Sequence, residues 1–278
     1  MSSAESEVRL QAGGAGRVGR APRAPGSRIA YLKDVTLHLV RRELALRYRG
    51  TLLGWVWSLV PVVLQLLVTQ FLFTRVIPLG VPNYPVFLLV GLLAWNHFAG
   101  ALRMSTSSVE VNRNLVMRPG FPTMLLPIVA VLVDFFDYVI ALPILFAALA
   151  LTTGVHVESL LLPALLLIQV LLVSGIGLLL APLQLFFKDI RQMVALLLTL
   201  GFWLTPVFYK ARQVPAAFKP IYQANPMAHL IEAQRLVLLD GRMPSPQSIG
   251  LLSLSAVLVL AVGCVVFSAL RNSLPEKL

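Results

Sequence analysis

Long apolar segments alternate with short polar or Pro/Gly-rich breaks along almost the whole chain. Five stretches carry no charged residue, and a sixth, from Leu125 to Leu151, carries only Asp134 and Asp137. About 20 apolar residues in a helix cross a ~30 Å hydrocarbon core, and lipid offers no hydrogen-bond partners to any other open backbone. The pattern therefore predicts an all-α, polytopic membrane protein with six transmembrane helices, at residues 54–77, 84–106, 123–151, 159–183, 192–210 and 248–270.

The segments outside these spans differ in kind. Residues 1–28 are rich in Gly, Ala, Pro, Ser and Arg, which predicts a disordered basic tail ahead of a permease domain at residues 29–278. Residues 31–49 have apolar positions at helical spacing, and we predict an interfacial helix whose candidate site residues are Arg41, Arg42, Glu43, Arg47 and Arg49. Residues 205–247 are too long for a structureless loop, so short re-entrant helices are expected between spans 5 and 6.

Charge indicates the topology and the partners. Hydrophobic residues make up 58% of the chain, yet its net charge is +11, and ten of its 23 Lys and Arg residues precede the first span. An excess of basic residues marks cytoplasmic flanks and favours anionic lipid surfaces. With an even number of spans, both termini are predicted to be cytoplasmic, and membrane lipids rather than nucleic acid are the expected partner of the basic residues.

Few residues have the spacing of a catalytic site. The sequence has no GxSxG, HExxH or CxxC motif and no phosphate-binding loop, and it has a single cysteine, Cys264. We therefore expect no metal site, no catalytic residue and no ATP hydrolysis by this chain alone. Asp134 and Asp137 are the exception, because buried charges in membranes are rare. They form either a proton or ion site or, as we favour, a structural group that meets an arginine of the interfacial helix or of a neighbouring span.

Aromatic residues cluster near the predicted span ends. They fit an interfacial belt, and they also fit a stacking surface for sugar rings; the sequence does not separate the two. The candidates for a substrate path are Trp55, Trp57, Trp95, Phe202, Trp203, Phe208 and Tyr209.

Several motifs occur in a characteristic order. They are RREL at 41–44, LGWVW at 53–57, YPVFL at 84–88, NRNL at 112–115, FFKDIR at 186–191, TPVFY at 205–209, and Asn225-Pro226 followed by Glu232 and Arg235. In these motifs, residues ~31–270 resemble the membrane subunits of bacterial polysaccharide ABC exporters, the type-2 exporters that move lipid-linked O-antigen, capsule, teichoic acid or galactan.

The resemblance implies a mechanism that the spacing alone does not. It implies a homodimer in the cytoplasmic membrane, two copies of a separate ATPase that binds ATP and Mg, and a lipid-linked glycan as substrate. It also implies that residues ~108–121 contact the ATPase, and the coupling candidates there are Asn112, Arg113, Asn114, Leu115 and Arg118. The alternatives are a permease for a drug or lipid, or a membrane-embedded enzyme that acts on polyprenyl-linked sugars through Asp134 and Asp137.

Overall fold

A computed structural model describes residues 25–50, 54–77 and 80–278, and within these ranges every regular element is helical. The all-α prediction is confirmed. The helices are α1 Pro25–Tyr48, α2 Val56–Phe71, α3 Tyr84–Val111, α4 Arg113–Val116, α5 Leu125–Thr152, α6 Leu162–Phe186, α7 Ile190–Leu204, α8 Lys219–Ala224, α9 Pro226–Leu238, α10 Pro246–Leu270 and α11 Leu274–Lys277.

Five helical segments in the described part of the chain are long and apolar enough to cross a membrane. They are built on α2, α3, α5, α6 and α10; a π-helical turn extends α2 to Val76, and a 3-10 turn at Val157–Leu161 leads into α6. The chain is thus a multi-pass membrane protein. In α3, 78% of the residues in an 18-residue apolar stretch are buried against the rest of the protein, compared with 6% in the equivalent stretch of the segment that contains α2. Helix α3 is therefore the centre of the bundle, and α2 exposes most of its surface.

The fifth predicted span is shorter than expected. We predicted residues 192–210, but α7 ends at Leu204 and has 15 residues, about 22 Å of helix. Thr205 takes an extended backbone conformation because it precedes Pro206, whose ring disfavours a helical residue before it. Helix α3 shows the opposite error, because it continues to Val111 rather than ending at residue 106.

The N-terminal predictions have mixed outcomes. Helix α1 begins at Pro25, so residues 25–28 are helical rather than part of a disordered tail, and residues 1–24 lie outside the described part. The described residues divide into two units, one before Leu39 and one from Leu39 onwards, and all the site candidates lie in the second. The position of α1 at a membrane surface stays a prediction, and so does that of the short helices between α7 and α10.

Two glycines allow α6 and α10 to pack at close range. A Cβ on Gly175 would lie 2.5 Å from the backbone nitrogen of Leu260, and a Cβ on Gly263 would lie 3.1 Å from the Cβ of Leu178. Close backbone approach at small residues is how helices associate in lipid, where the hydrophobic effect provides no driving force between them.

Replacing Gly263 with valine is expected to destabilise the bundle, because the added methyl groups force α6 and α10 apart. Overpacking of this kind costs about 1–3 kcal/mol. The matched control is Gly250→Val in the same helix, where an added Cβ meets no atom within 4 Å. Thermal denaturation of the purified protein in nanodiscs checks this. Equal melting temperatures for the two variants would contradict the assigned contact.

Candidate functional site

Three groups of side chains in the bundle have contacts that suggest a function. The first is the coupling segment, residues 108–121. The second is the carboxylate pocket, a cavity of about 270 Å³ whose lining includes Arg47, His97, Asp134 and Asp137. The third is the aromatic cluster, which consists of Phe73, Phe202, Trp203, Phe208 and Tyr209.

The coupling segment is a sharp elbow between α3 and α5. Asn112 ends α3, and its side-chain amide donates to the carbonyl of Ser108 at 3.0 Å. The four-residue helix α4 follows, and then Gly120, whose positive φ of 80° suits a turn that only glycine adopts freely. Val116 is buried in a cluster with Phe267 and Leu126, which anchors the elbow to the bundle.

The coupling candidates do not all face the same way. Arg113, Asn114 and Arg118 are exposed, so the outer face of the elbow is polar and basic. Leu115 instead packs against the buried cluster around Val116. Asn112 is half-buried and accepts a hydrogen bond from Arg42 of α1 at 3.3 Å. The arrangement therefore offers a polar contact surface on a short segment that is tied to both α1 and the bundle.

An ion pair that the sequence analysis did not identify ties a second connection to this elbow. Arg191, in the first turn of α7, pairs with Glu110 in the last turn of α3. The backbone N–H of Arg191 also donates to the side-chain oxygen of Gln184 at 2.8 Å. Both charged side chains are about half exposed, so the pair contributes little to stability. Its effect is to link the start of α7 to the coupling segment.

The carboxylate pocket gives Asp137 an arginine partner from α1. Arg47 Nη1 lies 2.8 Å from Asp137 Oδ2, and the hydroxyl of Tyr48 donates to the other carboxylate oxygen. Burial and the hydrogen bond to Asp137 raise the pKa of Tyr48 to about 12, so its hydroxyl remains a donor at neutral pH. Arg41, Arg49 and the exposed Arg42–Glu43 pair of α1 do not line this pocket.

Asp134 has a different partner from the one we expected. No arginine pairs with it within the described residues; its Oδ2 lies 3.2 Å from Nδ1 of His97 in α3. His97 is buried, its ring meets Phe135 and Tyr138 edge-on, and its Nε2 has no hydrogen-bond partner. Sequence analysis treated His97 as one of four scattered histidines, and nothing in its local sequence indicated that Asp134 would meet it.

Asp137→Asn is expected to lower the free energy of unfolding by about 1–3 kcal/mol, because it leaves Arg47 without its counter-ion in a half-buried site. The control is Asp189→Asn, at an exposed position outside any ion pair of the described chain. A double variant, Arg47→Leu with Asp137→Leu, should recover part of the loss, and chemical denaturation in detergent compares the three variants with the wild-type protein. Normal stability together with an altered pH dependence of transport would instead support a proton site.

The aromatic cluster surrounds the break that ends α7. Phe208 is its centre: its ring stacks on Phe73 at 5.0 Å and meets Trp203 and Tyr209 edge-on. The hydroxyl of Tyr209 donates to the carbonyl of Leu204 at 3.0 Å. Phe208 and Tyr209 therefore do not belong to a span, as we had predicted, but to the turn that follows it. Beside them lies an apolar cavity of about 450 Å³ that Tyr222 also lines.

The remaining aromatic candidates lie apart from that cluster or beneath it. Trp55 and Trp57 flank the first residue of α2, and each is 53% exposed. Trp95 is buried in the core, where it packs against Phe98 and Phe202 and covers Gly201. Trp95 thus has no free face in this structure, whereas Trp203 is 54% exposed.

Arg235 of α9 holds the α7 break in place. Its guanidinium is buried, donates to the carbonyls of Pro206, Val207 and Phe87 at 2.5–3.3 Å, and lies 3.5 Å above the Phe87 ring. Burial lowers the pKa of Arg235 to about 9, which still leaves the guanidinium charged at neutral pH. The planar guanidinium bonds to the three carbonyls from three separate nitrogens, a geometry that the single nitrogen of a lysine does not reproduce.

A buried glutamine pair fixes the same end of the bundle. Gln169 of α6 donates to the carbonyl of Ala94 at 2.8 Å, and Gln234 of α9 donates to Gln169 at 3.0 Å. Tyr138 of α5 donates to Gln234 at 3.3 Å. Fully satisfied polar networks of this kind specify a unique packing. In the described chain no three His, Cys, Asp or Glu side chains converge as metal ligands.

Residues 35–239 match the family model described as ABC-2 type transporter. This chain belongs to that family. It is therefore a membrane subunit of a transporter, and the elbow and the α7 break both lie inside the matched region.

Among characterised relatives, the O-antigen export system permease RfbA of Myxococcus xanthus is 30% identical over 249 residues, covering 88% of this chain and 96% of the relative. RfbA of Klebsiella pneumoniae is 27% identical over 90% of this chain and 97% of its own length. The polysialic acid transport protein KpsM of Escherichia coli is 24% identical, covering 82% and 90%.

Proposed function

We propose that this protein is the transmembrane subunit of an ATP-driven exporter that moves a lipid-linked polysaccharide across the bacterial cytoplasmic membrane. The observation that carries the proposal is the near full-length similarity to permeases for two different polysaccharides, O-antigen and polysialic acid. The exposed basic elbow and the partly exposed aromatic cluster agree with such a role, because one suits a partner protein and the other suits sugar rings.

The proposed assembly has two copies of this chain and two copies of a separate ATPase, which binds the ATP and Mg. Both termini and the coupling segment face the cytoplasm, and the aromatic cluster faces outwards. This orientation puts most basic residues inside, in agreement with the excess of Lys and Arg in the cytoplasmic segments of membrane proteins. The Glu110–Arg191 pair then joins the elbow to α7, so a displacement of the elbow by the ATPase would move the helix that carries Trp203.

Deleting the gene tests the proposal. Surface polysaccharide should disappear while its lipid-linked precursor accumulates inside the cell, and expression of this chain should restore export. The purified chain alone should hydrolyse no ATP, and activity should require the co-purifying ATPase. Unchanged surface polysaccharide in the deletion strain would refute the proposal. Robust ATP hydrolysis by the isolated chain would refute the assignment of that activity to a separate subunit.

Cysteines at Val111 and Asn114 are expected to crosslink to the ATPase in a Cys264→Ala background, because both positions are exposed on the elbow. Leu115 is a poorer position, since it packs inwards. A cysteine at the buried Val116 is the matched control and should not react. The measurement is a bismaleimide crosslink in the assembled, active complex; a lack of product from both exposed sites would contradict coupling through this segment.

A further inference from the structure

A second cavity lies at the end of the bundle that carries the aromatic cluster. Its volume is about 340 Å³, and three connections converge on it: the segment before α3, the end of α5, and residues 206–240 between α7 and α10. Its walls combine charges of both signs with hydroxyl and amide groups. The lining polar residues are Asn83, Thr153, Lys210, Arg212, Tyr222, Glu232, Arg235 and Asp240. We call it the outer pocket.

Most charged groups of the outer pocket are free to meet a ligand. Lys210, Arg212 and Asp240 take part in none of the four ion pairs of the described chain, and the side chains of Arg212, Asp240 and Asn83 make no hydrogen bond there. Glu232 accepts only from the Tyr222 hydroxyl, at 3.2 Å. Apart from this Tyr222–Glu232 bond, the side-chain donors and acceptors of the pocket thus line the same space without pairing with one another.

This mixture favours one class of ligand. A phosphate or carboxylate would meet Glu232 and Asp240, and a cation would meet Lys210, Arg212 and the buried Arg235. An apolar chain would desolvate free charges without compensating them. A hydroxyl group both donates and accepts, so a polyhydroxylated ring can bond to the carboxylates and to the cations at once.

The pocket also shares a lining residue with the apolar cavity beside the aromatic cluster. Tyr222 lines both the outer pocket and the apolar cavity beside Phe208 and Tyr209. A sugar unit leaving the aromatic rings would therefore reach the free polar groups across a single side chain. We propose that the outer pocket is a subsite for an uncharged sugar unit of the exported glycan. This inference rests on the proposed export function.

Photocrosslinking in exporting cells tests it. p-Benzoylphenylalanine is placed at Arg212 or at Asp240, and the matched control is Val155, an exposed position in a neighbouring connection that does not line the pocket. The probe is the cell's own glycan, detected by periodate oxidation and hydrazide staining of the purified subunit. Glycan adducts at both pocket positions and none at Val155 are expected.

Each other result has a defined meaning. Continued export without glycan adducts at Arg212 and Asp240 overturns the subsite and leaves the proposed function standing. Adducts to a protein alone overturn it in favour of a partner-binding surface. If surface glycan does not depend on this chain at all, the proposed function itself fails.

Substitutions separate a neutral ligand from a charged one. Asp240→Leu is expected to slow export per folded molecule by about tenfold, the effect of one or two lost hydrogen bonds. Asp240→Asn keeps hydrogen-bonding atoms without the charge, and it should retain most of the wild-type rate. Equal losses of export rate in Asp240→Asn and Asp240→Leu would indicate a cationic ligand. Wild-type export rates in both variants would show that the pocket holds only solvent. Either outcome overturns the proposal.

Discussion

Replacing Arg235 with methionine is expected to lower the free energy of unfolding by more than about 3 kcal/mol, the largest loss from any single substitution at the sites described above. Two buried carbonyls outside any helix, those of Pro206 and Val207, lose their donor, and the carbonyl of Phe87 keeps only its bond within α3. Each buried acceptor left unsatisfied costs roughly 1–3 kcal/mol, and the methionine chain refills only part of the volume.

Two further variants make that measurement specific. Arg235→Lys keeps the charge, but its one nitrogen cannot take the three positions of Nε, Nη1 and Nη2, so it should recover only a minor part of the loss. Arg242→Met removes an exposed arginine a few residues away and should leave stability unchanged. Denaturant unfolding in nanodiscs compares the variants. Equal stability for Arg235→Met and Arg242→Met would show that the carbonyl contacts contribute little.

The spans could be predicted from the sequence because lipid offers the backbone no hydrogen-bond partners, so that an apolar segment crossing it has to be helical. Apolar segments of about 20 residues or more predicted α2, α3, α5, α6 and α10 to within a few residues at most ends. The exception, α7, was misjudged since hydropathy continues through Val207 and Phe208, while Pro206 ends the helix for a conformational reason that hydropathy does not register. Turn chemistry, rather than apolarity, sets that boundary.

Polar contacts within the bundle were less predictable. An arginine from α1 was anticipated as one possible partner of a buried carboxylate, and Asp137 has it in Arg47. The Asp134–His97 and Gln169–Gln234 contacts were not anticipated, because each joins two helices far apart in sequence. A polar residue in an apolar stretch indicates that a partner exists, but helix packing determines which one it is. Sequence analysis identified Arg235 only as part of a motif, and its contacts with three carbonyls became known only from the fold.

Removing three aromatic rings together is expected to abolish export. Trp57, in the first turn of α2, and Trp203, at the end of α7, are each more than half exposed. Tyr209 is half-buried and lies with Trp203 in the cluster around Phe208. A sugar–aromatic contact is worth roughly 0.5–1.5 kcal/mol, so each single alanine variant should slow export by about tenfold at most. If the contacts act in sequence along one path, three losses multiply to about a thousandfold.

The decisive comparison is between transport and insertion. Rings that only form an interfacial belt should affect the amount of inserted protein, whereas rings that guide a glycan should affect export per inserted molecule. Surface glycan normalised to membrane-inserted protein is therefore measured for Trp57→Ala, Trp203→Ala and Tyr209→Ala, singly and combined. Trp95→Ala is the control for packing, because Trp95 is buried and its loss should reduce folded protein more than turnover. Tyr209→Phe keeps the ring and should export normally. Normal export by the triple variant would exclude these rings as the glycan path, and the path would then have to be lined by other residues.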